Sequence, residues 1–220
     1  AKVVVSGRRM EPLQETVMTI EKEGGKGLAV AADVSKMEEV QRLVEQTVST
    51  FGAIDILVNN AGVYIPHDAM TMTEEEWNTV MSIDLKGVWH GAKAVIPYML
   101  KQGKGKIINI SSIAGLIGFE QSAAYCAAKG AVVNLTREMA LDYAPKNIYI
   151  NGIAPGLIDT DMTKFVLTDE AVKKAFLDKT PVGRVGAPQD IAFAAVYLGS
   201  DESDFVIGQT LVVDGGWTIR

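Results

Sequence analysis

The sequence predicts an α/β protein built on a doubly wound parallel sheet, and three observations carry that prediction. Apolar runs of strand length alternate with helical stretches from one end of the chain to the other. Runs such as Ile107–Ile110 are nearly continuous instead of strictly alternating, which is the pattern of strands covered on both faces. Between them, residues such as Val40, Leu43, Val44, Thr47, Val48 and Phe51 recur at helical spacing and present one apolar face to a sheet.

In chain order, the β-branched run from Lys2 to Ser6 is the first strand, ending at a turn with two guanidinium groups, Arg8 and Arg9. A helix from Glu11 to Glu23 is closed by Gly24 and Gly25, and Gly27 to Ala32 is the next strand, running into Asp33 and Val34. Ser35 with Glu38 has the spacing of a capping box for the following amphipathic helix. Ile54 to Val58 is a strand delivering Asn59, Asn60, Ala61 and Gly62, and Thr73 with Glu76 caps a long helical region reaching Leu100. Lys106 to Ser111 is a central strand, Ser122 to Tyr143 a helix, and Ile148 to Ala154 a strand whose pairing is expected to end at Pro155 and Gly156. The stretch from Leu157 to Ala187 is irregular and partly helical, as a cap over a site would be. A helix from Pro188 to Gly199 and a strand from Gln209 to Val213 close the chain.

At 220 residues and 48% hydrophobic, the chain has enough apolar side chains for one sizeable core, and residues 1–220 read as a single domain. A formal net charge of −6 with no basic block argues against nucleic acid and anionic membrane as partners. The longest apolar run, near Ile191–Leu198, is far short of the ~20 residues that span a bilayer. A single cysteine, Cys126, excludes an internal disulfide, and no leader-like stretch opens the sequence, so a cytoplasmic protein is expected. His67 and His90 are too few and too separated for a zinc site, and no metal is expected.

The chemistry concentrates between Lys106 and Arg137. Ser112 stands at the carboxyl end of a central strand, where open α/β sheets bind ligands. Tyr125 and Lys129 lie four apart and share a helix face. A phenol titrating near ~10 is a poor acid or base at neutral pH, and a neighbouring ammonium favours its ionised form. Ser112 is placed to hydrogen-bond the oxygen that Tyr125 protonates, which together describe proton transfer coupled to hydride transfer at a carbonyl. A Tyr-x-x-x-Lys pair alone is common by chance and is more often a solvated helix face.

The combination of Ser112, Tyr125 and Lys129 with Asn59-Asn60-Ala61-Gly62, the strand INISS, the stretch NGIAPG ending at Gly156, and Val213-Asp214-Gly215-Gly216 resembles the short-chain dehydrogenase/reductase family over the whole chain. The resemblance implies a Rossmann-like fold and reversible hydride transfer between NAD(P)(H) and a carbonyl or secondary alcohol. Tyr125 would be the acid/base, Ser112 would stabilise the oxyanion, and Lys129 would lower the tyrosine pKa and hold the nicotinamide ribose. It also places the cofactor on Arg8, Arg9, Asp33, Val34, Asn59, Ala61, Gly62, Tyr125, Lys129, Pro155, Gly156, Ile158 and Thr160. The strand end Ser6-Gly7-Arg8-Arg9 lacks an acid to hold ribose hydroxyls and offers arginines for an extra phosphate, which favours NADP(H) while leaving NAD(H) open.

Two departures from the family pattern stand out. The glycine-rich strand-turn-helix with which the family opens is missing, roughly 30 residues or one strand-helix unit. The expectation is that the sequence is part of a longer polypeptide, since the sheet would otherwise have two unpaired edges in its core. Where the family has an asparagine in its proton relay, this chain has Asp84, which keeps a place among the catalytic candidates. A 3-oxoacyl thioester reductase and a sugar or cyclic-alcohol dehydrogenase fit the motifs equally. The competing class is a non-catalytic dinucleotide-binding sensor. Family members associate through the long helices and the last strand, so a homotetramer is expected.

Overall fold

A computed structural model describes residues 1–219 of the chain. In order, the elements are β1 (Lys2–Gly7), α1 (Met10–Lys22), β2 (Lys26–Ala31), α2 (Met37–Phe51), β3 (Ile56–Asn59), α3 (Glu74–Val80), α4 (Gly87–Gln102) and β4 (Gly105–Ile110). They continue with α5 (Ala123–Tyr143), β5 (Ile148–Pro155), α6 (Lys164–Leu167), α7 (Glu170–Leu177), α8 (Pro188–Gly199) and β6 (Thr210–Val213). All paired strands are parallel: β1 with β2, and β3, β4, β5, β6 in that spatial order.

Helices cover both faces of the four-stranded sheet. Val44 of α2, Val95 and Met99 of α4 and Met139 of α5 pack with Ile107 and Ile150 on one face. Ala194 and Leu198 of α8 pack with Ile108 and Ile153 on the other. Adjacent residues of β4 thus serve opposite cores, which is why its apolar run does not alternate with polar residues. No strand pairs the outer edges of β1 and β3 among the described residues. Ile56 and Val58 of β3 are 47% and 44% exposed, whereas Ile107 and Ile108 of neighbouring β4 are buried.

Register aligns the strand ends that matter. Asn59 pairs with Asn109, Ile110 with Ile153 and Pro155 with Val213, so the chain leaves β3, β4 and β5 at one rim of the sheet. Pro155 extends β5 beyond the expected end at Ala154, since a final residue needs no amide hydrogen to keep its register.

Two expected helix starts fared differently. Thr73 and Glu76 form the capping box, with Thr73 Oγ1 accepting from the Glu76 amide at 3.2 Å and Glu76 Oε2 accepting from the Thr73 amide at 2.9 Å. The box between Ser35 and Glu38 does not form. Ser35 Oγ donates to Asp33 at 2.7 Å, Lys36 occupies the cap position without a side-chain bond, and Glu39 accepts from the Asp33 amide at 2.8 Å. The long helix expected from Thr73 to Leu100 is interrupted by a π-helical stretch, Met81–Lys86, that separates α3 from α4. Such bulges recur at functional sites.

Lys106, at the start of β4, is a nearly buried cation. Its ammonium donates to the Ser200 carbonyl, to Ser203 Oγ at 3.1 Å and to Asp204 Oδ1 at 2.6 Å, tying the strand to the turn after α8. Removing a partner from a fully buried pair costs about 3–5 kcal/mol, and the half-exposed Asp204 carboxylate moderates that. Lys106→Ala is therefore expected to lower unfolding free energy by about 2–3 kcal/mol, seen as a lower urea midpoint at unchanged slope.

Candidate active site

The loop after β4 and the start of α5 meet at the sheet rim. Ser111 Oγ donates to the Lys129 carbonyl at 2.9 Å, which fixes α5 against the strand end. Ser112 caps a short 3-10 turn, its Oγ accepting from the Ala114 amide at 3.1 Å. That bond uses an oxygen lone pair and leaves the hydroxyl proton to be donated elsewhere. The small residues Ala124 and Ala128 let α5 approach closely, and both are fully buried beside Val80. Tyr125 and Lys129 then lie on one face of α5, with the Lys129 ammonium 5.6 Å from the Tyr125 ring centre.

Lys129 is almost wholly buried, and its ammonium is directed at two acceptors. It donates to the Ile110 carbonyl at 3.1 Å and stands 3.2 Å from Asp84 Oδ2. Asp84 is fully buried on the π-helical stretch, with Oδ1 accepting from the Val63 amide at 2.8 Å. Oδ2 makes no hydrogen bond of good angle, so the lysine contact is chiefly ionic. Burial raises the Asp84 carboxyl above its ordinary range, opposed by Lys129 and by the Val63 amide.

The Tyr125 phenol is pushed up to about 12, first by burial and next by the Asp84 carboxylate, while the Ser112 hydroxyl pulls it back. The sequence assigns Lys129 the lowering of that pKa. Lys129 itself is engaged by Asp84 and the Ile110 carbonyl. Tyr125 is held as a protonated phenol through neutral pH.

The remaining candidates fall into groups. Arg8 and Asp33 lie near one another at the ends of β1 and β2, where the Ser35 hydroxyl foremost, and Arg8 more weakly, keep the Asp33 carboxyl low. Arg9 is exposed at the start of α1 and acts on Asp161 of the cap. Val34 packs against Gly87, and its carbonyl accepts from the buried His90 Nδ1 at 2.8 Å. Asn59 turns its amide inward, donating to Asn109 Oδ1 at 2.9 Å and the Val88 carbonyl at 3.3 Å, so what it offers a ligand is backbone. Gly62 touches the ion pair: a Cβ there would sit 2.9 Å from Asp84 Oδ2. Beside it, Ala61 is exposed on the loop leaving β3. Gly156 follows Pro155 and packs on Asp214, where a Cβ would come within 2.8 Å of its Cα. Ile158 is buried at a bridge to Gly186, and Thr160 forms a small box with Thr163.

Sequence reasoning missed Tyr64. Its ring meets Tyr125 edge-on at 5.2 Å, and its hydroxyl lies 3.0 Å from Ser122 Oγ. No motif marks it, since the contact depends on how the loop after β3 folds over α5. Among the described residues, no group of three or more His, Cys, Asp or Glu side chains is placed to hold a metal ion, and no helix is long and apolar enough to cross a membrane.

Exposed Arg8 at the end of β1 fits an anionic cofactor lying along the strand ends.

A family model described as enoyl-(acyl carrier protein) reductase matches residues 1–218. The 2-dehydro-3-deoxy-D-gluconate 5-dehydrogenase of Dickeya dadantii is 40% identical over 99% of this chain and 86% of its own. The 3-oxoacyl-(acyl-carrier-protein) reductase FabG of Thermotoga maritima is 36% identical over 100% of this chain and 88% of its own. Among solved structures, a gluconate 5-dehydrogenase from Burkholderia cenocepacia in complex with NADP and tartrate superposes with a TM-score of 0.95. It is 36% identical and is matched over 99% of this chain and 85% of its own.

Proposed function

The chain belongs to the short-chain dehydrogenase/reductase family, an NAD(P)-dependent oxidoreductase family, and from that premise we propose a carbonyl reductase that uses NADP(H) with Tyr125 as its proton donor. The observation that carries the proposal is the convergence of Ser112, Tyr125 and Lys129 at the strand rim, with a phenol that stays protonated at neutral pH. A bound nicotinamide dinucleotide would supply the hydride. The protein's part is to hold the substrate oxygen between the Ser112 hydroxyl and the Tyr125 phenol. As charge builds on that oxygen, Ser112 donates a hydrogen bond and Tyr125 gives up its proton. Lys129, anchored by Ile110 and Asp84, lies beside the Tyr125 ring and would hold the nicotinamide ribose.

NADP is supported by the exposed Arg8 at the end of β1, by the lack of an acid there, and by the NADP bound in the Burkholderia relative. Asp33 and Val34 would face the adenine, the loop from Asn59 to Gly62 the adenosine side, and Pro155, Gly156, Ile158 and Thr160 the nicotinamide. Residues 1–220 would act as one domain, in the cytoplasm, as a homotetramer. Exposed apolar residues on α8 and β6, including Phe193, Val196 and Leu211, suit association through that edge. The non-catalytic reading has no observation in its favour.

The test is NADPH consumption against ketones, acetoacetyl thioesters and keto sugars. Arg8→Ala is expected to raise KM for NADPH about tenfold or more and to leave KM for NADH within about threefold, since only the extra phosphate loses its partner. Equal effects on the two cofactors remove Arg8 from the assignment.

A further inference from the structure

The cap is fastened at both ends by aromatic rings. At one end Phe165 of α6 stacks on Tyr64 at 5.8 Å and 9°, and Tyr64 in turn abuts Tyr125. At the other, Phe176 of α7 lies 6.3 Å from Phe119 and 6.1 Å from Trp217, with Phe119 stacked on Trp217 at 5.0 Å. Phe119 belongs to the loop that joins Ser112 to Tyr125, so that loop and the one bearing Tyr64 each carry a ring stacked on the cap. Tyr64 is further held by its hydroxyl, which meets Ser122 Oγ at 3.0 Å and donates to the Gln121 carbonyl at 3.3 Å. A ring fixed at both its face and its tip is a rigid wall.

Charge around the same space is unfavourable to an anion. The cap from 157 to 187 and the loops 60–72 and 113–122 carry five Lys or Arg against seven Asp or Glu. Four of the five cations are already matched: Lys164 with Asp161, Lys173 with Glu170, Lys174 with Asp178 and Arg184 with Asp190. The fifth, Lys179, lies over the Trp217 ring at 5.8 Å. Inside the site, the Lys129 charge is taken up by Asp84. A carboxylate substrate would enter a region of net negative charge whose cations are paired except for Lys179 and the exposed Arg9, which acts on Asp161, whereas a flat apolar body would lie against Tyr64.

We infer that the substrate is an uncharged carbonyl compound with a ring or similar flat apolar body, and that Tyr64, backed by Phe165, is its specificity-determining wall. This rests on the reductase reading above and narrows it. The names of the relatives include a sugar acid, and the charge of this cap departs from what that anion would select.

The experiment compares decalone and cyclohexanone with a keto sugar acid, using NADPH and the full chain, in wild type, Tyr64→Ala, Tyr64→Phe and Phe165→Ala. In wild type, kcat/KM for decalone should exceed that for the keto acid by about 100-fold or more. Tyr64→Ala should raise KM for decalone about 10- to 100-fold with kcat within about threefold, because it removes apolar binding and leaves the proton donor in place. NADPH affinity by fluorescence titration should not move, and Tyr64→Phe should keep the decalone KM within a few-fold. Preference for the keto acid, or an equal loss on both substrates in Tyr64→Ala, overturns the inference while leaving the reductase intact. NADPH binding without reduction of any carbonyl overturns the reductase reading and this inference with it. Should Tyr64→Ala fail to fold, Phe165→Ala on the exposed side of the stack decides, and an unchanged decalone KM there refutes the wall.

Discussion

Tyr125→Phe is expected to lower kcat for ketone reduction with NADPH by about 10²–10⁴-fold, the range that a positioned proton donor contributes. The substitution removes one oxygen and its proton and keeps the ring that packs edge-on against Tyr64. Binding of NADPH, followed by fluorescence, is therefore expected to change by less than about threefold, since Lys129 keeps its bonds to Ile110 and Asp84. The loss should fall on kcat and kcat/KM together, as it does for a group that acts only as charge develops. Residual activity within a factor of a few of wild type would mean that another group donates the proton, and the Tyr125 assignment would fall. Ser112→Ala gives no equivalent separation, because its oxygen also accepts from the Ala114 amide and shapes the turn.

How much of this was legible in the sequence depends on the range of the interactions. The parallel α/β class was legible because burial on both faces is written into the runs at β4 and β5, and the Thr73–Glu76 box because both partners lie within one turn. The Ser35–Glu38 box had the same local pattern and failed, since Asp33 Oδ1 accepts from both the Ser35 hydroxyl and the Ser35 amide. Local spacing states what is available, and competition among neighbours decides. Lys106, whose partners lie some 94 to 98 residues away, carried no local sign of burial. Tyr64 was invisible for the same reason, being brought to Tyr125 by a loop without regular structure. The site residues on α5 could be placed from helical periodicity, but the engagement of Lys129 by Asp84 could not. It depends on the π-helical stretch that turns Asp84 inward.

That stretch makes Asp84→Asn the second large effect, and its sign can be worked out. In ketone reduction the useful form of Tyr125 is the phenol, so the rate holds until pH rises through the phenol's pKa. In alcohol oxidation the useful form is the phenolate, so the rate climbs with pH towards the same point, about 12. Replacing the Asp84 carboxylate with an amide removes one of the two leading causes of that high value and releases the Lys129 ammonium to act on the phenol. Both changes favour the phenolate, so the alkaline limb of each profile moves to lower pH. At pH 8 alcohol oxidation should gain about tenfold in kcat, the factor expected for about 1.4 kcal/mol of electrostatic relief, while reduction at pH 7 should change by less than about threefold. Asparagine keeps an oxygen able to accept from the Val63 amide, so the π-helical turn has its anchor. The measurement is kcat against pH in both directions for the two proteins. A profile that does not move would show the Asp84 charge to be without influence on Tyr125, and a fall in both directions would assign the carboxylate a place in the proton path itself.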